Sequence, residues 1–266
     1  MSFDTYRAID AMNWSTLKAG AKSMRHLHHA IITTDDGDTS SRAILRLNHA
    51  AVLEPHTLDQ DFVVWTGGNR VGKDWLAFKA AHEGRQIVKS DEMDAARRIA
   101  TAIRANPTAR DMLDGALTEH TIEWTDAETG VKCKARMDVY KPGSHIADVK
   151  GDASVQDYAF ARRVGANLYY AQAAWYQMGV ESTTGERLPY YLMPYETAEP
   201  HDCAVFEVDE DWLAPGRELC RRLLREYVAA RDSGVWPGRY SGVMTLPSPP
   251  RHINPDVADF EFGEES

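Results

Sequence analysis

Two aspartates and a lysine near the middle of the chain have the types and spacing of a metal-binding hydrolytic site. Residues 131–138 alternate between apolar and polar side chains, which predicts a half-buried strand that ends on Asp138. The segment 141–144, Lys-Pro-Gly-Ser, predicts a turn into a second strand that carries Asp148 and Lys150. Because side chains two apart on a strand share a face, Asp148 and Lys150 point to the same side. Depending on the register of the hairpin, Asp138 lies across from Asp148.

This hairpin would bring two carboxylates and one ammonium group together at one end. Like charges at this distance repel each other unless a cation lies between them. Oxygen ligands with room for water suit Mg²⁺ or Mn²⁺. A lysine beside such metals can orient or deprotonate a water molecule for attack on phosphorus, while the metals stabilise the developing charge. The same spacing also occurs in an ordinary surface hairpin with an Asp–Lys pair, so the short motif leaves both interpretations open.

The elements that must position these residues predict a mixed α/β fold, with a central β-sheet flanked by α-helices. The first third is helical up to a short strand at Phe62–Trp65, and a well-marked helix runs from Ser90 to Asn106. A strand meander follows over residues 121–150, and then a helical segment over residues 156–178. After two further strands, a last helix is predicted from Pro215 to Arg231.

The composition predicts a single domain over residues 1–245 and a tail over residues 246–266 that is rich in proline and then in acidic side chains. The net charge of −10 argues against a protein that coats DNA non-specifically, although metals could offset a carboxylate cluster. No stretch approaches the roughly 20 apolar residues of a membrane span, and the N-terminus lacks the features of a secretory signal. Three cysteines without metal-ligand spacing predict reduced thiols, and hence a cytoplasmic protein without membrane contact.

Three runs around the predicted site carry a resemblance to a known family. They are Cys133-Lys134-Ala135-Arg136-Met137-Asp138, Ile146-Ala147-Asp148-Val149-Lys150 and Tyr170-Ala171-Gln172-Ala173-Ala174-Trp175-Tyr176, accompanied by Asn13–Lys18, His49–Pro55 and Gly234–Gly238. Their order and spacing resemble the RecE-like (exodeoxyribonuclease VIII) nucleases of phages and prophages. These are relatives of the λ-exonuclease and RecB nuclease domains in the PD-(D/E)XK superfamily. The resemblance covers nearly all of the predicted domain.

The resemblance implies a PD-(D/E)XK nuclease core that uses two Mg²⁺ ions, for which Mn²⁺ can substitute. The activity that it implies is 5′→3′ exonuclease digestion of double-stranded DNA from its ends. The product, a 3′ single-stranded overhang, would serve recombination by strand annealing, with a single-strand annealing protein as a further partner. The resemblance also implies a ring-shaped homo-oligomer, with a trimer as the favoured size.

The resemblance assigns roles to individual residues as well. The implied metal ligands are His49, Glu119, Asp138, Asp148 and the carbonyl of Val149, the implied catalytic residues are Asp138, Asp148, Lys150, Glu119 and Gln172, and the implied DNA or phosphate contacts are Arg7, Ser15 and Tyr176. Gln172 and Tyr176 match a Q-x-x-x-Y helix, whose i, i+4 spacing places both side chains on one face. Ser15 and Arg7 are expected to bind a 5′-phosphate at a helix N-terminus.

Several alternatives stay open at this point. Glu123 shares the predicted strand face of Glu119 and could replace it as the acid of the site. The segment 67–74 resembles a P-loop, but an aspartate stands where the hydroxyl residue is needed, so it predicts a basic surface loop that could contact DNA. The cluster of His26, His28 and His29 could bind metal, although a solvated helix end is the simpler interpretation.

The cationic side chains Lys132, Lys134 and Arg136 could follow a DNA backbone or form an ordinary solvated strand face. Two rival functions also remain. One is a PD-(D/E)XK nuclease of another specificity, for single strands or particular DNA structures. The other is a catalytically inactive protein that binds DNA.

Overall fold

The structure, a computed structural model, describes residues 3–33 and 40–246, and its N-terminal third is helical as predicted. The elements there are α1 (Phe3–Ala8), α2 (Trp14–Leu17), a 3₁₀ turn (Lys18–Ala21), α3 (Met24–Ile32), α4 (Ser40–Leu53), a second 3₁₀ turn (Pro55–Thr57) and α5 (Leu58–Asp61). Asn13 caps α2, because its side-chain oxygen accepts a hydrogen bond from the Thr16 backbone N–H at 2.8 Å.

A small βαβ unit follows, built from β1 (Phe62–Trp65), α6 (Gly72–Ala81) and β2 (Gln86–Lys89). The two strands pair in parallel, so α6 is their crossover helix. The sequence predicted β1 but not α6. No side chain of α6 is fully buried, so its sequence has no apolar stripe from which a helix could be recognised.

The central sheet has five strands in the order β3-β4-β5-β6-β7, preceded by α7 (Ser90–Ala105) and α8 (Pro107–Leu113). The strands are β3 (Leu117–Thr125), β4 (Lys132–Lys141), β5 (His145–Asp152), β6 (Tyr190–Glu196) and β7 (Phe206–Val208). Strands β5 and β6 are parallel, and the other neighbours are antiparallel. Helix α7 buries the predicted face, which consists of Met93, Ala96, Ile99, Ala100 and Ile103. These findings confirm a mixed sheet flanked by helices.

The remaining helices are α9 (Asp157–Ala166), α10 (Tyr169–Thr184) and α11 (Glu210–Ser233). The predicted helical segment over residues 156–178 consists of two helices, since Leu168 has a left-handed φ of 58° between α9 and α10. The predicted start of the last helix is wrong, because Pro215 lies inside α11. Gly234 ends this helix with a φ of 70°.

Helices cover both faces of the central sheet. Apolar side chains of β4–β6 pack with α4 and α7 on one face; they include Val139, Ala147, Val149 and Met193. Trp124 and Ala135 pack with α10 and α11 on the other face. Among the helices in residues 3–33 and 40–246, none combines the length and the apolar content that a membrane crossing requires.

The prediction of a half-buried β4 with a solvated polar face is wrong at Lys134. Its side chain is only 3% exposed, because α1 covers it. The ammonium group donates hydrogen bonds to the carbonyls of Tyr6 (2.9 Å), Arg7 (3.3 Å) and Ile9 (2.7 Å) at the C-terminal end of α1. Lys134 therefore holds a helix in place and is not positioned to follow a DNA backbone.

Candidate metal and active site

Strands β3 and β4 lose their regular alternation beside the predicted site. Met137 packs on the α10 side of the sheet and Val139 on the α7 side, although residues two apart on a regular strand share a face. The pairing of β3 with β4 skips Glu119 and Asp138, and Glu119 has a left-handed φ of 51°. Such a conformation costs about 1–3 kcal/mol in a residue other than glycine. The irregularity places the Glu119 carboxylate beside that of Asp138.

Three potential metal ligands converge at this point. Ligand atoms of His49 on α4, Glu119 on β3 and Asp138 on β4 all lie within 4.8 Å of one another. The Nδ1 atom of His49 is 3.6 Å from Oδ2 of Asp138. The same carboxylate oxygen accepts a hydrogen bond of 2.8 Å from the backbone N–H of Val149, which fixes its orientation. The structure therefore brings together three of the predicted metal ligands. It also places the backbone of Val149, whose carbonyl is a further predicted ligand, against Asp138.

Asp148 and Lys150 lie next to this group on β5. Asp148 is 1% exposed, and its carboxylate forms an ion pair with the Lys150 ammonium. The ammonium also lies 4.8 Å from the ring centroid of Tyr169. The predicted geometry of the hairpin is present, since the β4–β5 pairing ends at Val139↔Ala147 and the next residues are Asp138 and Asp148.

The electrostatics of the site disfavour charge on its acids. Burial raises the pKa of Asp148 to about 7, and the neighbouring Asp138 adds to the rise. Burial also raises the pKa of Glu119 to about 8, again with a contribution from Asp138. Burial lowers the pKa of His49 to about 4, with the Lys150 charge adding to the effect, so the imidazole is neutral at pH 7. Burial opposes the charge on Lys150, but the carboxylates of Asp148 and Asp138 outweigh it and raise its pKa.

This donor set fits a divalent cation. Carboxylate oxygens suit Mg²⁺ and Mn²⁺, and a neutral imidazole nitrogen is a common ligand of transition metals such as Mn²⁺. A bound cation would also offset the repulsion that raises the pKa values of Asp148 and Glu119. The residues present therefore match the metal requirement that the sequence predicts.

The structure separates the two candidate acids on β3. Glu119 lies in the cluster, where Nε of Arg136 is 2.7 Å from its carboxylate. Glu123 is exposed and lies opposite Lys134 in the β3–β4 pairing, four residues further along the strand. Arg136, which the sequence offered as a DNA contact or a solvated side chain, is instead the partner of a candidate ligand.

Gln172 and Tyr176 lie on the face of α10 that is turned towards the carboxylates. The Gln172 side-chain amide donates a hydrogen bond of 3.0 Å to the Tyr176 hydroxyl. Burial raises the pKa of Tyr176 well above its ordinary value, and the charges of Asp148 and Asp138 raise it further. Tyr169, which contacts Lys150, is on the same face by its i, i+3 spacing to Gln172. That spacing was the signal by which the sequence could have identified Tyr169.

The two predicted phosphate-binding residues have different surroundings. Ser15 is exposed in the first turn of α2, but its hydroxyl donates to the Asn13 side chain at 2.7 Å. Arg7 lies in the last turn of α1, the helix that precedes α2 in the chain. A role in phosphate binding stays a prediction for both residues.

The histidines of α3 do not converge in the described part of the chain. His26 hydrogen-bonds Ser23 at 2.7 Å, His28 stacks on Trp236 with 4.5 Å between ring centroids, and His29 contacts Thr33 at 3.3 Å. These separate partners agree with the interpretation of an ordinary helix.

The chain was compared with known families, proteins and structures. It matches the model of a PDDEXK-like domain of unknown function (DUF3799) over residues 14–246. A comparison with curated proteins gave no significant match. The crystal structure of a putative exonuclease from Eubacterium rectale is similar, with a TM-score of 0.65 and 17% identity over 94% of this chain and 96% of that chain. An alkaline exonuclease from Laribacter hongkongensis has a TM-score of 0.30 and 15% identity, over 71% of this chain and 95% of that chain.

The two stronger findings agree with the sequence and the site. The similarity to the Eubacterium rectale structure concerns the fold, because the identity is low. The family match spans most of the sequence and contains all of the clustered residues. This chain therefore belongs to the PDDEXK-like family DUF3799, within the PD-(D/E)XK class of nucleases.

Proposed function

We propose that this protein is a divalent-metal-dependent exodeoxyribonuclease. The observation that carries the proposal is the convergence of His49, Glu119 and Asp138 beside the ion pair of Asp148 and Lys150. Metal ligands and a lysine in one cluster are the parts that phosphodiester hydrolysis requires. The family match and the fold support the nuclease class.

Each residue of the cluster has a task that follows from its contacts. The Val149 N–H and the Arg136 guanidinium hold the carboxylates of Asp138 and Glu119 in place before any ligand arrives. When bound, divalent cations stabilise negative charge on the phosphate and lower the pKa of water. Lys150 keeps its charge beside Asp148, so its ammonium can donate to a phosphate oxygen or orient the attacking water.

The wall opposite the carboxylates positions the substrate. Gln172, a predicted catalytic residue, and Tyr176, a predicted DNA contact, form a hydrogen-bonded pair on α10, and the charges of Asp148 and Asp138 act on the Tyr176 hydroxyl. A tyrosine in this position can hydrogen-bond a phosphate or stack on a sugar or base. We assign this pair to holding the scissile strand.

The finer properties of the proposal come from the resemblance to RecE-like nucleases. They are two Mg²⁺ ions, 5′→3′ digestion of double-stranded DNA ends, and a 3′ overhang for recombination by strand annealing. A ring-shaped homo-oligomer, above all a trimer, and a single-strand annealing protein complete this part of the proposal. The free thiols of Cys133, Cys203 and Cys220 support a reducing, cytoplasmic location.

Digestion of linear duplex DNA tests the proposal. A 5′-phosphorylated duplex, labelled at either end, is incubated with Mg²⁺ or Mn²⁺ and with wild type, Asp148→Asn or Lys150→Ala. The matched controls are Asp152→Asn and Lys141→Ala. Asp152 lies on the same strand as Asp148 and Lys150, and its carboxylate pairs with Arg163 of α9. The Lys141 ammonium group donates a hydrogen bond to a backbone carbonyl. We expect progressive loss of the 5′ strand with wild type and both controls.

The two site variants are expected to lose activity by at least about 100-fold, as expected when a group that acts in the transition state is removed. Digestion of single strands or branched DNA alone would favour the nuclease of another specificity. If wild type cleaves no linear, nicked or single-stranded DNA with either metal, the inactive DNA-binding protein becomes the better hypothesis.

A further inference from the structure

The βαβ unit carries a charge opposite to that of the whole chain. Residues 62–89 contain five lysines and arginines against two acidic residues, whereas the chain has a net charge of −10. The unit therefore concentrates positive charge in an otherwise acidic protein. Such a patch attracts a polyanion locally even where the overall charge does not.

An open groove runs between α6 and the first half of α4. It has a volume of about 650 Å³ and is lined by Arg70, Trp75, Leu76, Lys79 and Ile87 among others. Leu76 is 63% exposed, although it lies in the middle of a helix. A single exposed leucine is unremarkable, but this one adjoins a tryptophan and two cations in one concave surface.

The aromatic and cationic side chains of the groove are arranged as a platform. The Trp75 ring is held edge-on against Trp65, at 5.5 Å between centroids, and the Arg70 guanidinium lies 5.8 Å from its centroid. Arg70 is itself fixed by a hydrogen bond to the Ile87 carbonyl. Among the described residues, the Lys79 ammonium group, which lines the groove, has no ion-pair or hydrogen-bond partner, whereas Arg70 also pairs with Glu92 at 3.5 Å.

The groove is joined rigidly to the helix that carries a candidate metal ligand. The Arg46 guanidinium of α4 donates to the Gln86 side chain at 3.0 Å, and that side chain donates to the Ala43 carbonyl at 2.8 Å. Ala43 lines the groove, and His49 follows six residues later on α4. This separation is about 9 Å along the helix axis.

We propose that this groove binds an unpaired segment of DNA next to the metal site. Aromatic and apolar side chains can stack on unpaired bases, which a duplex does not expose. The cationic side chains of the groove can bind the backbone phosphates. The choice of DNA as the ligand rests on the proposed function. The groove would hold the single strand that enters or leaves the metal site. The groove is also lined by the acidic side chain of Glu83, which would repel a phosphate placed next to it.

Binding measured without catalysis tests the proposal. Fluorescence anisotropy with a labelled oligothymidylate of about 16 nucleotides, in EDTA, is compared with a duplex of the same length. The variants are Trp75→Ala, Leu76→Gln and Lys79→Glu, with Arg221→Glu as the matched charge reversal on an exposed cation of α11. Leu76→Gln is the variant least able to disturb the fold, because its side chain is mostly exposed.

We expect Trp75→Ala to weaken oligothymidylate binding by about 5- to 100-fold, the range for loss of one base–aromatic stack. Lys79→Glu should weaken it by about 3- to 10-fold and lower its salt dependence, while Arg221→Glu leaves it unchanged. Equal affinity of wild type and all groove variants overturns the proposal, and so does a preference of the groove for duplex. Wild-type protein that binds no DNA also overturns it and leaves the surface to a protein partner.

The same variants separate this inference from the proposed nuclease activity. Wild type that cleaves DNA, with groove variants that bind oligothymidylate normally, would leave the nuclease proposal standing and remove this one. Wild type that binds oligothymidylate through the groove but cleaves no DNA would support the groove inference and remove the nuclease proposal.

Discussion

Replacing Asp148 with asparagine should remove a pH dependence from the stability of the metal-free protein, so that the variant gains stability relative to the wild type between pH 5 and pH 8. Burial and Asp138 raise the pKa of Asp148 from 3.8 to about 7, so the folded chain holds its proton more tightly than the unfolded chain. The resulting stabilisation is fully present below the unfolded pKa and is lost as the pH rises through the folded pKa. Asparagine resembles the protonated acid and does not titrate.

The size of the effect follows from the pH interval in which only the unfolded chain is ionised. Each pH unit in this interval removes about 1.4 kcal/mol from the free energy of unfolding of the wild type. From pH 5 to the folded pKa, the wild type should lose about 2–3 kcal/mol relative to Asp148→Asn. For a domain of this size, that corresponds to a difference of about 5–10 °C in Tm.

The assay is thermal unfolding in EDTA at pH 5 and pH 8, with wild type, Asp148→Asn and the exposed-carboxylate control Asp111→Asn. The control should follow the wild type at both pH values. Mn²⁺ at pH 8 should raise the Tm of the wild type more than that of Asp148→Asn, because metal binds the ionised carboxylate. A difference in Tm between wild type and Asp148→Asn that is the same at both pH values would refute the raised pKa of Asp148.

Three further predictions concern the residues around the cluster. His49→Ala should weaken Mn²⁺ binding by at least about 10-fold in calorimetric titration, whereas His56→Ala on the second 3₁₀ turn should not. Arg136→Gln should free the Glu119 carboxylate and weaken metal affinity by about 10- to 100-fold, with DNA affinity in EDTA unchanged; an effect on DNA alone would contradict this. Lys134→Met should lower the free energy of unfolding by about 2–4 kcal/mol in urea titrations, since three carbonyls lose their donor.

The core of the site could be predicted because it depends on local periodicity. The turn after β4 and the two-residue repeat of β5 indicate that Asp138, Asp148 and Lys150 meet at one end of the hairpin. The buried face of α7 could be predicted for the same reason, as its apolar spacing is regular. His49 is far away in the sequence, and only the family resemblance indicated it.

The parts that could not be predicted depend on contacts between distant segments. Lys134 has the pattern of a solvated residue, and only the packing of α1 over β4 makes it a buried donor. The left-handed backbone of Glu119 has no sequence signal, because residues other than glycine adopt this region through tertiary constraint. Helix α6 lies on the surface without a buried stripe, so periodicity gave no indication of it.

Anomalous diffraction from crystals soaked in Mn²⁺ directly tests whether the cluster binds a divalent metal. We expect an anomalous peak within coordination distance of His49, Glu119 and Asp138, with Asp148 beside it. The peak should be lost in crystals of His49→Ala. A well-diffracting crystal with an accessible site and no peak at these residues, or with Mn²⁺ bound only elsewhere, would contradict the metal site and the nuclease mechanism built on it.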